Sequence, residues 1–134
     1  MTERTYIAKD ETLADALGFI EEELEKYDCP MRELMQITVC VEEMFVNVAH
    51  YAYPGSEGEV TLSVGFENGT VTIVLTDSGI PFDPLAKEDP DITLSAEERG
   101  IGGLGIFMVK KSMTDVAYVR KNEKNIFTMK KEIG

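Results

Sequence analysis

Residues 60–77 read VTLSVGFENGTVTIVLTD and decide the prediction of the fold. Apolar side chains occupy every second position on both sides of Asn68-Gly69, which is the period of a strand with one buried face. Asn-Gly suits a two-residue type I′ turn, because both turn residues then need a positive φ. The stretch therefore predicts a β-hairpin with strands at about 60–66 and 71–75, and Thr76-Asp77-Ser78-Gly79 ends the second strand.

The sequence on either side of the hairpin predicts helices and further strands. Apolar residues recur every three or four positions at 11–27 and at 31–52, which predicts two amphipathic helices. We expect the acidic run Glu21-Glu22-Glu23 of the first helix to face mainly solvent. The other predicted elements are a strand at 3–8, a helix at 103–113, and closing strands at 115–121 and 125–132 joined by a tight turn at Asn122-Glu123-Lys124.

This order of elements predicts one α+β domain spanning residues 1–134. Hairpins dominate the connections, so we expect a two-layer α/β sandwich, with a mostly antiparallel sheet and three helices on one face. Residues 80–99 are polar, contain three prolines and show no clear period. A loop of that length in so small a domain is commonly a functional lid.

The composition limits what the protein can bind. Thirteen basic and 25 acidic residues give a net charge of −12, which argues against non-specific binding to nucleic acids. A bound phosphate must therefore be held by backbone amides or by one or two well-placed cations. Cys29, Cys40 and His50 are too scattered for a structural zinc site, so we expect free thiols. No signal core or membrane span is visible in the sequence, and we expect a cytoplasmic protein without membrane contact.

A cluster of glycines at 100–105 is the strongest chemical signal. Its spacing spells G-x-G-x-x-G, but the polar residues before it do not form the strand that a dinucleotide-binding turn requires. Ile106-Phe107 stand where a P-loop needs Lys and Ser or Thr. Glycines that lead into a helix N-terminus favour a phosphate site, and a flexible hinge is the alternative. Arg99 is a candidate contact for a terminal phosphate, although an exposed, solvated arginine fits equally well.

Two further groups of polar residues are candidate functional residues. Glu43 and Asn47 are four residues apart, so both lie on one face of the second helix. A carboxylate and an amide there could act as general base and magnesium ligand, or form an ordinary solvated pair. Asp77 and Gly79 follow the hairpin strand. Asp77 could accept a hydrogen bond from an exocyclic amine, or only form an Asx turn.

Together these groups resemble the motifs of the GHKL ATPase superfamily, which has the Bergerat ATP-binding fold. Residues 42–53, EEMFVNVAHYAY, resemble its N box, and residues 77–84, DSGIPFDP, resemble its first glycine box. Residues 99–106, RGIGGLGI, resemble its second glycine box. The most similar branch is that of the stand-alone anti-sigma regulatory factors, which are serine/threonine protein kinases of the RsbW and SpoIIAB kind.

The resemblance implies a role for each matching residue. Glu43 would be the general base, and Asn47 would coordinate the Mg²⁺ that bridges the ATP phosphates. Asp77 would bind the adenine amine, and Gly79 would leave room for the ring. The family often has a histidine where Tyr51 stands, and we assign no catalytic role to His50. The remaining implied ATP contacts are Arg99, Gly100, Gly102, Gly103, Leu104, Gly105 and Asn125, with residues 84–99 as the ATP lid.

The resemblance leaves two hypotheses about function. The first is a kinase that phosphorylates a serine on a STAS-domain anti-anti-sigma partner. The second is a non-catalytic ATP-binding module that sequesters a sigma factor or another regulator. Relatives suggest a homodimer. A sensor histidine kinase is not expected, because no histidine-bearing dimerisation helix precedes the domain in this sequence.

Overall fold

The computed structural model describes residues 1–86 and 104–134. Within these ranges the chain forms one antiparallel sheet and three α-helices, as the sequence predicts. In chain order the elements are β1 (Thr2–Ile7), α1 (Leu13–Lys26), α2 (Met31–Tyr51), β2 (Glu59–Glu67), β3 (Thr70–Asp77), α3 (Leu104–Ser112), β4 (Asp115–Lys121) and β5 (Lys124–Glu132). Short 3₁₀ turns lie at Asp10–Thr12 and Pro84–Ala86.

The strands are ordered β1-β2-β3-β5-β4, and each neighbouring pair is antiparallel. Asn68 and Gly69 have φ of 52° and 77°, which confirms the predicted turn between β2 and β3. The turn between β4 and β5 uses only two residues, Asn122 and Glu123, with φ of 54° and 62°. The predicted turn was thus one residue too long, since Lys124 already pairs with Lys121 in the β4–β5 ladder.

The helices cover one face of the sheet, and the core lies between the two layers. On β3 the side chains of Val71, Ile73 and Leu75 are buried in this core. Asp77 is the next residue in the same alternation and ends the strand. Its side chain therefore emerges on the helix-covered face, at the end of an apolar row.

The acidic run of α1 departs from the prediction at Glu23, whose side chain is only 2% exposed. The buried residues of α1 follow the helical period and are Ala16, Phe19, Ile20, Glu23 and Leu24. Lys26 lies one turn further on, and its Nζ is 2.7 Å from Glu23 Oε2. Hydrogen bonding to Lys26 and Thr2 lowers the pKa of Glu23 and outweighs the opposing effect of burial.

We predict that Glu23→Gln lowers the free energy of unfolding by about 1 kcal/mol at neutral pH. A carboxylate with a lowered pKa in the folded state stabilises above its unfolded pKa, and this contribution disappears as pH falls through the folded value. The difference between wild type and variant should therefore shrink in acid, as measured by urea unfolding from pH 7 to pH 3. A difference that stays constant with pH would contradict this account of Glu23, and Glu22→Gln is the control on the same helix.

Candidate functional site

A cleft lies between the C-terminal half of α2 and the adjoining ends of β3 and β5. It holds about 430 Å³ of space between atoms, counting the part that opens to solvent. The walls are mostly apolar and aromatic, and the polar groups are few, as in sites for flat ring ligands. The lining residues are Met44, Asn47, Val48, Tyr51, Ala52, Leu75, Asp77, Phe82, Pro84, Tyr118, Asn125 and Phe127.

Asp77 supplies a carboxylate to the wall of the cleft, and only 6% of the residue is exposed. Its Oδ1 accepts two hydrogen bonds of 2.9 Å, from the Gly79 backbone N–H and from Asn125 Nδ2. Asn125 stands opposite Asp77 in the β3–β5 ladder, which explains why two residues 48 positions apart meet here. Asp77 thus forms the predicted Asx turn, and that turn is part of the cleft.

Gly79 is required because the loop after β3 passes closely over the end of α2. A Cβ at Gly79 would overlap the Ala52 carbonyl oxygen, which also accepts a 2.9 Å hydrogen bond from the Ile80 N–H. The Tyr53 hydroxyl holds the same loop, since it accepts from the Ser78 N–H at 2.8 Å and donates to the Glu59 carbonyl at 2.6 Å. Burial raises the pKa of Tyr53, so this hydroxyl stays neutral.

Two residues that hold Asn125 and the loop beside the cleft were missed by the sequence analysis. The Tyr118 hydroxyl donates to Asn125 Oδ1 at 2.6 Å, and Arg120 Nη1 donates to the Gly79 carbonyl at 2.8 Å. Both lie on β4 at alternate positions, which places them on the same face of that strand. The sequence predicted only a closing strand at 115–121, which places residues 118 and 120 on one face but does not show what that face contacts.

Asn47 and Glu43 are half-buried on consecutive turns of α2, as predicted, and they face two adjoining openings. Asn47 lines the cleft that holds Asp77. Glu43 lines a groove between α2 and α3, and its carboxylate lies so close to Gly105 that an added Cβ there would overlap Oε1. Among the described residues, no ion pair is formed by Glu43. The two side chains therefore lie one helical turn apart, with Asn47 in the wall of the cleft and Glu43 beside the start of α3.

The predicted glycine cluster is only partly described. Arg99, Gly100, Gly102 and Gly103 lie outside the described residues, as does most of the predicted lid. Leu104 and Gly105 form the first turn of α3. His50 is directed away from the cleft, because its Nε2 lies 2.8 Å from Asp10 Oδ1 near the start of α1.

The geometry is compatible with binding of a flat ring, since an apolar cleft has a largely buried carboxylate in its wall. The comparison with protein families agrees, since the model described as "Histidine kinase-like ATPase domain" matches residues 7–131. The chain belongs to this family of ATP-binding domains. The resemblance drawn from the three motifs is thereby confirmed.

Similar proteins lie in the same branch of the family. The serine/threonine-protein kinase BtrW of Bordetella bronchiseptica is 24% identical over 119 residues, which are 88% of this chain and 84% of that protein. The serine-protein kinase RsbW of Bacillus cereus is 25% identical over 108 residues. That match takes in 78% of this chain but only 61% of the Bacillus protein.

Solved structures support the fold at low sequence identity. A crystal structure of the RsbU and RsbW domains of a Mycobacterium tuberculosis protein aligns with a TM-score of 0.68 and 12% identity, over 99% of this chain and 33% of that one. The SiaB–SiaC complex of Pseudomonas aeruginosa aligns with a TM-score of 0.57 and 14% identity, over 96% of this chain and 88% of the other. In the described ranges, none of the helices is long and apolar enough to cross a membrane.

We predict that Gly79→Ala destabilises the fold by about 1–3 kcal/mol, because the new methyl group meets backbone atoms that cannot rotate away. Gly18→Ala is the matched control. Gly18 lies within α1 with open space around its Cα, so alanine should leave stability unchanged or raise it by up to about 1 kcal/mol. Denaturant unfolding of both variants measures the difference, and equal stability of the two would contradict the close approach at Gly79.

Proposed function

We propose that this protein is a cytoplasmic serine/threonine protein kinase that uses Mg-ATP to phosphorylate a serine on a STAS-domain anti-anti-sigma protein. One observation carries the proposal. Glu43 has no ion-pair partner among the described residues, yet its carboxylate lies against Gly105 at the start of α3, one helical turn from Asn47. The kinase names of the Bordetella and Bacillus relatives support the same activity.

The nucleobase would enter the apolar cleft, with its exocyclic amine toward Asp77. Asp77 Oδ1 already accepts two hydrogen bonds from the protein, so Oδ2 is the oxygen left for the ligand. Val48, Leu75 and Phe127 provide an apolar lining. Gly79 does not line the cleft, and the space it leaves is taken up by Ala52, so its part is to hold the loop beside Asp77. This environment favours a flat ring with one donor at its edge.

The phosphates would then point toward the first turn of α3. Four backbone N–H groups at a helix start lack partners within the helix, and the helix dipole attracts anions there. We propose that Leu104 and Gly105 contribute such groups, together with Gly100, Gly102 and Gly103, and that Arg99 contacts a terminal phosphate.

Asn47 fits the role of a magnesium ligand. Its side-chain oxygen is a hard donor, and among the described residues no hydrogen bond or ion pair of this side chain competes for it. Mg²⁺ usually takes few protein ligands and completes its shell with water and phosphate oxygens. When bound it would neutralise charge on the phosphates, while Asn47 would fix their position relative to Glu43.

Glu43 would act as the general base. As the serine hydroxyl oxygen forms a bond to the γ-phosphorus, its proton passes to the Glu43 carboxylate, and the bond to the ADP oxygen breaks. The groove that Glu43 lines is largely apolar, with the exposed side chains of Met35, Val39 and Met108 along it. Such a surface suits approach by a protein segment and supports a protein as phosphate acceptor.

The alternative is a non-catalytic ATP-binding module that holds a sigma factor or another regulator. It needs the same cleft but makes no use of a carboxylate at the phosphate end. The position of Glu43 therefore favours the kinase. We further propose that the active species is a homodimer, as in the branch that the chain resembles.

Replacing Asn47 with alanine should remove the metal-dependent part of ATP binding. The amide oxygen is lost, whereas the nucleobase end of the cleft is unchanged. Calorimetric titration with ATP in magnesium buffer and in EDTA should give two similar affinities for Asn47→Ala, but clearly different affinities for wild type. A variant that keeps the full magnesium dependence would show that Asn47 is not the ligand.

Glu43→Gln should retain ATP affinity within a few-fold and slow phosphate transfer by about 10²-fold or more, since a positioned general base contributes about 10²–10⁴ in rate. Transfer from labelled ATP to the cognate STAS-domain protein is the measurement. Glu42→Gln is the control, because Glu42 is the exposed neighbour on the same helix.

Two results would contradict the mechanism in different ways. Wild-type rates for Glu43→Gln would exclude Glu43 as the base. A wild-type protein that binds ATP and a regulator, but phosphorylates no STAS-domain partner, would establish the binding-module alternative.

A further inference from the structure

The orientation of the Asn125 side chain is fixed by groups that can only donate or only accept. The Phe82 backbone N–H donates to Oδ1 at 3.3 Å, and the Ile80 carbonyl accepts from Nδ2 at 2.8 Å. If the amide were flipped, Nδ2 would face the Phe82 N–H, so that two donors met. Oδ1 would then face the Ile80 carbonyl, so that two acceptors met. The Tyr118 hydroxyl, 2.6 Å from Oδ1, must therefore act as donor.

All hydrogen-bonding capacity of the Asn125 side chain is used within the protein. Oδ1 accepts from Phe82 and Tyr118, and the two Nδ2 hydrogens go to Ile80 and Asp77. Asn125 is 6% exposed and has no donor or acceptor left for a ligand. Any effect on the nucleobase must pass through Asp77.

Asn125 and Gly79 together restrict the Asp77 carboxylate. Both donate to Oδ1, which leaves Oδ2 as the free acceptor and opposes rotation of the carboxylate. The Gly79 carbonyl accepts a hydrogen bond from Arg120, so the hairpin of β4 and β5 holds this loop at Gly79, Ile80 and Phe82 as well as at Asp77. A carboxylate oxygen that is held in one place discriminates between bases. A base with a donor at that position forms a hydrogen bond, whereas a base with an acceptor there leaves both its own acceptor and the Asp77 oxygen unpaired.

We propose that Tyr118 and Asn125 are positioning residues that set nucleobase selectivity. By holding one Asp77 oxygen toward the cleft, they favour a purine with a 6-amino group over a purine with a 6-oxo group. This inference rests on the proposed function only in that Asp77 meets the edge of the base. It concerns nucleotide binding and makes no use of the Glu43 chemistry.

The test compares ATP with inosine triphosphate, which differs from ATP at the 6-position of the ring. Both are titrated with magnesium against the whole chain. Wild type should prefer ATP by at least about 10-fold, as expected for a hydrogen bond to a charged acceptor that is lost and replaced by repulsion. Tyr118→Phe should reduce this preference by about 3- to 10-fold, by weakening ATP while leaving inosine triphosphate within about 2-fold.

Tyr6→Phe is the matched control, since the Tyr6 hydroxyl lies on the opposite edge strand and makes only a 3.5 Å contact with the Asp15 carbonyl. It should keep the wild-type preference. Asn125→Ser is the second variant and should lower the preference at least as far as Tyr118→Phe. Thermal unfolding without nucleotide shows whether each variant is folded. If Tyr118→Phe does not fold, the nucleotide preference of Asn125→Ser tests the inference instead.

The outcomes separate this inference from the proposed function. An unchanged preference in folded variants, or equal weakening of both nucleotides, would reduce Tyr118 and Asn125 to structural residues and overturn the inference. A wild type without preference would overturn the assigned role of Asp77 as well. Failure of phosphate transfer with an intact ATP preference would overturn only the kinase.

Discussion

The hydrogen bonds to the buried Asp77 carboxylate are the interactions on which the rest of the site depends. An anion at the end of an apolar strand row is costly to bury unless its oxygens are hydrogen-bonded. Here two N–H donors meet one oxygen, and they come from the following loop and from the neighbouring strand. The same contacts that make burial tolerable also fix the loop after β3, and they leave Oδ2 as the carboxylate oxygen not used by these two donors.

A second constraint is the sign of the charge. The chain carries a net charge of −12, and Asp77 and Glu43 add a carboxylate to the cleft and to the adjoining groove. Long-range attraction therefore cannot bring ATP to this protein. In the proposed binding mode, affinity comes from short-range groups, namely backbone amides at a helix start, a metal ion and the apolar wall beside the ring. The Glu43 carboxylate lies against Gly105, so a side chain at position 105 would require this carboxylate to move.

Much of the fold was predictable because its signals are local. Alternation around Asn68-Gly69 and three- or four-residue spacing in α1 and α2 depend only on nearby residues, and the motifs at Glu43, Asn47, Asp77 and Gly79 have fixed spacing. The errors arose where a residue's surroundings are set by groups that are distant in the sequence. Glu23 looked like part of a solvated acidic run, although its helical position beside Ile20 and Leu24 is a buried one. Tyr118 and Arg120 became visible only through the β3–β5–β4 register, since Arg120 and Gly79 are 41 residues apart.

The sheet order has a consequence for how tightly stability and ligand recognition are linked. In the described sheet β4 is an edge strand, paired with β5 alone, and edges open more readily than central strands. Yet this strand carries Tyr118 and Arg120, whose hydrogen bonds hold Asn125 and the loop after β3 in place. Each opening of the edge would release Tyr118 and Arg120 and loosen the carboxylate. By thermodynamic linkage, a nucleotide that requires the braced loop must slow hydrogen exchange along β4, and any contact that covers this edge must tighten nucleotide binding in return.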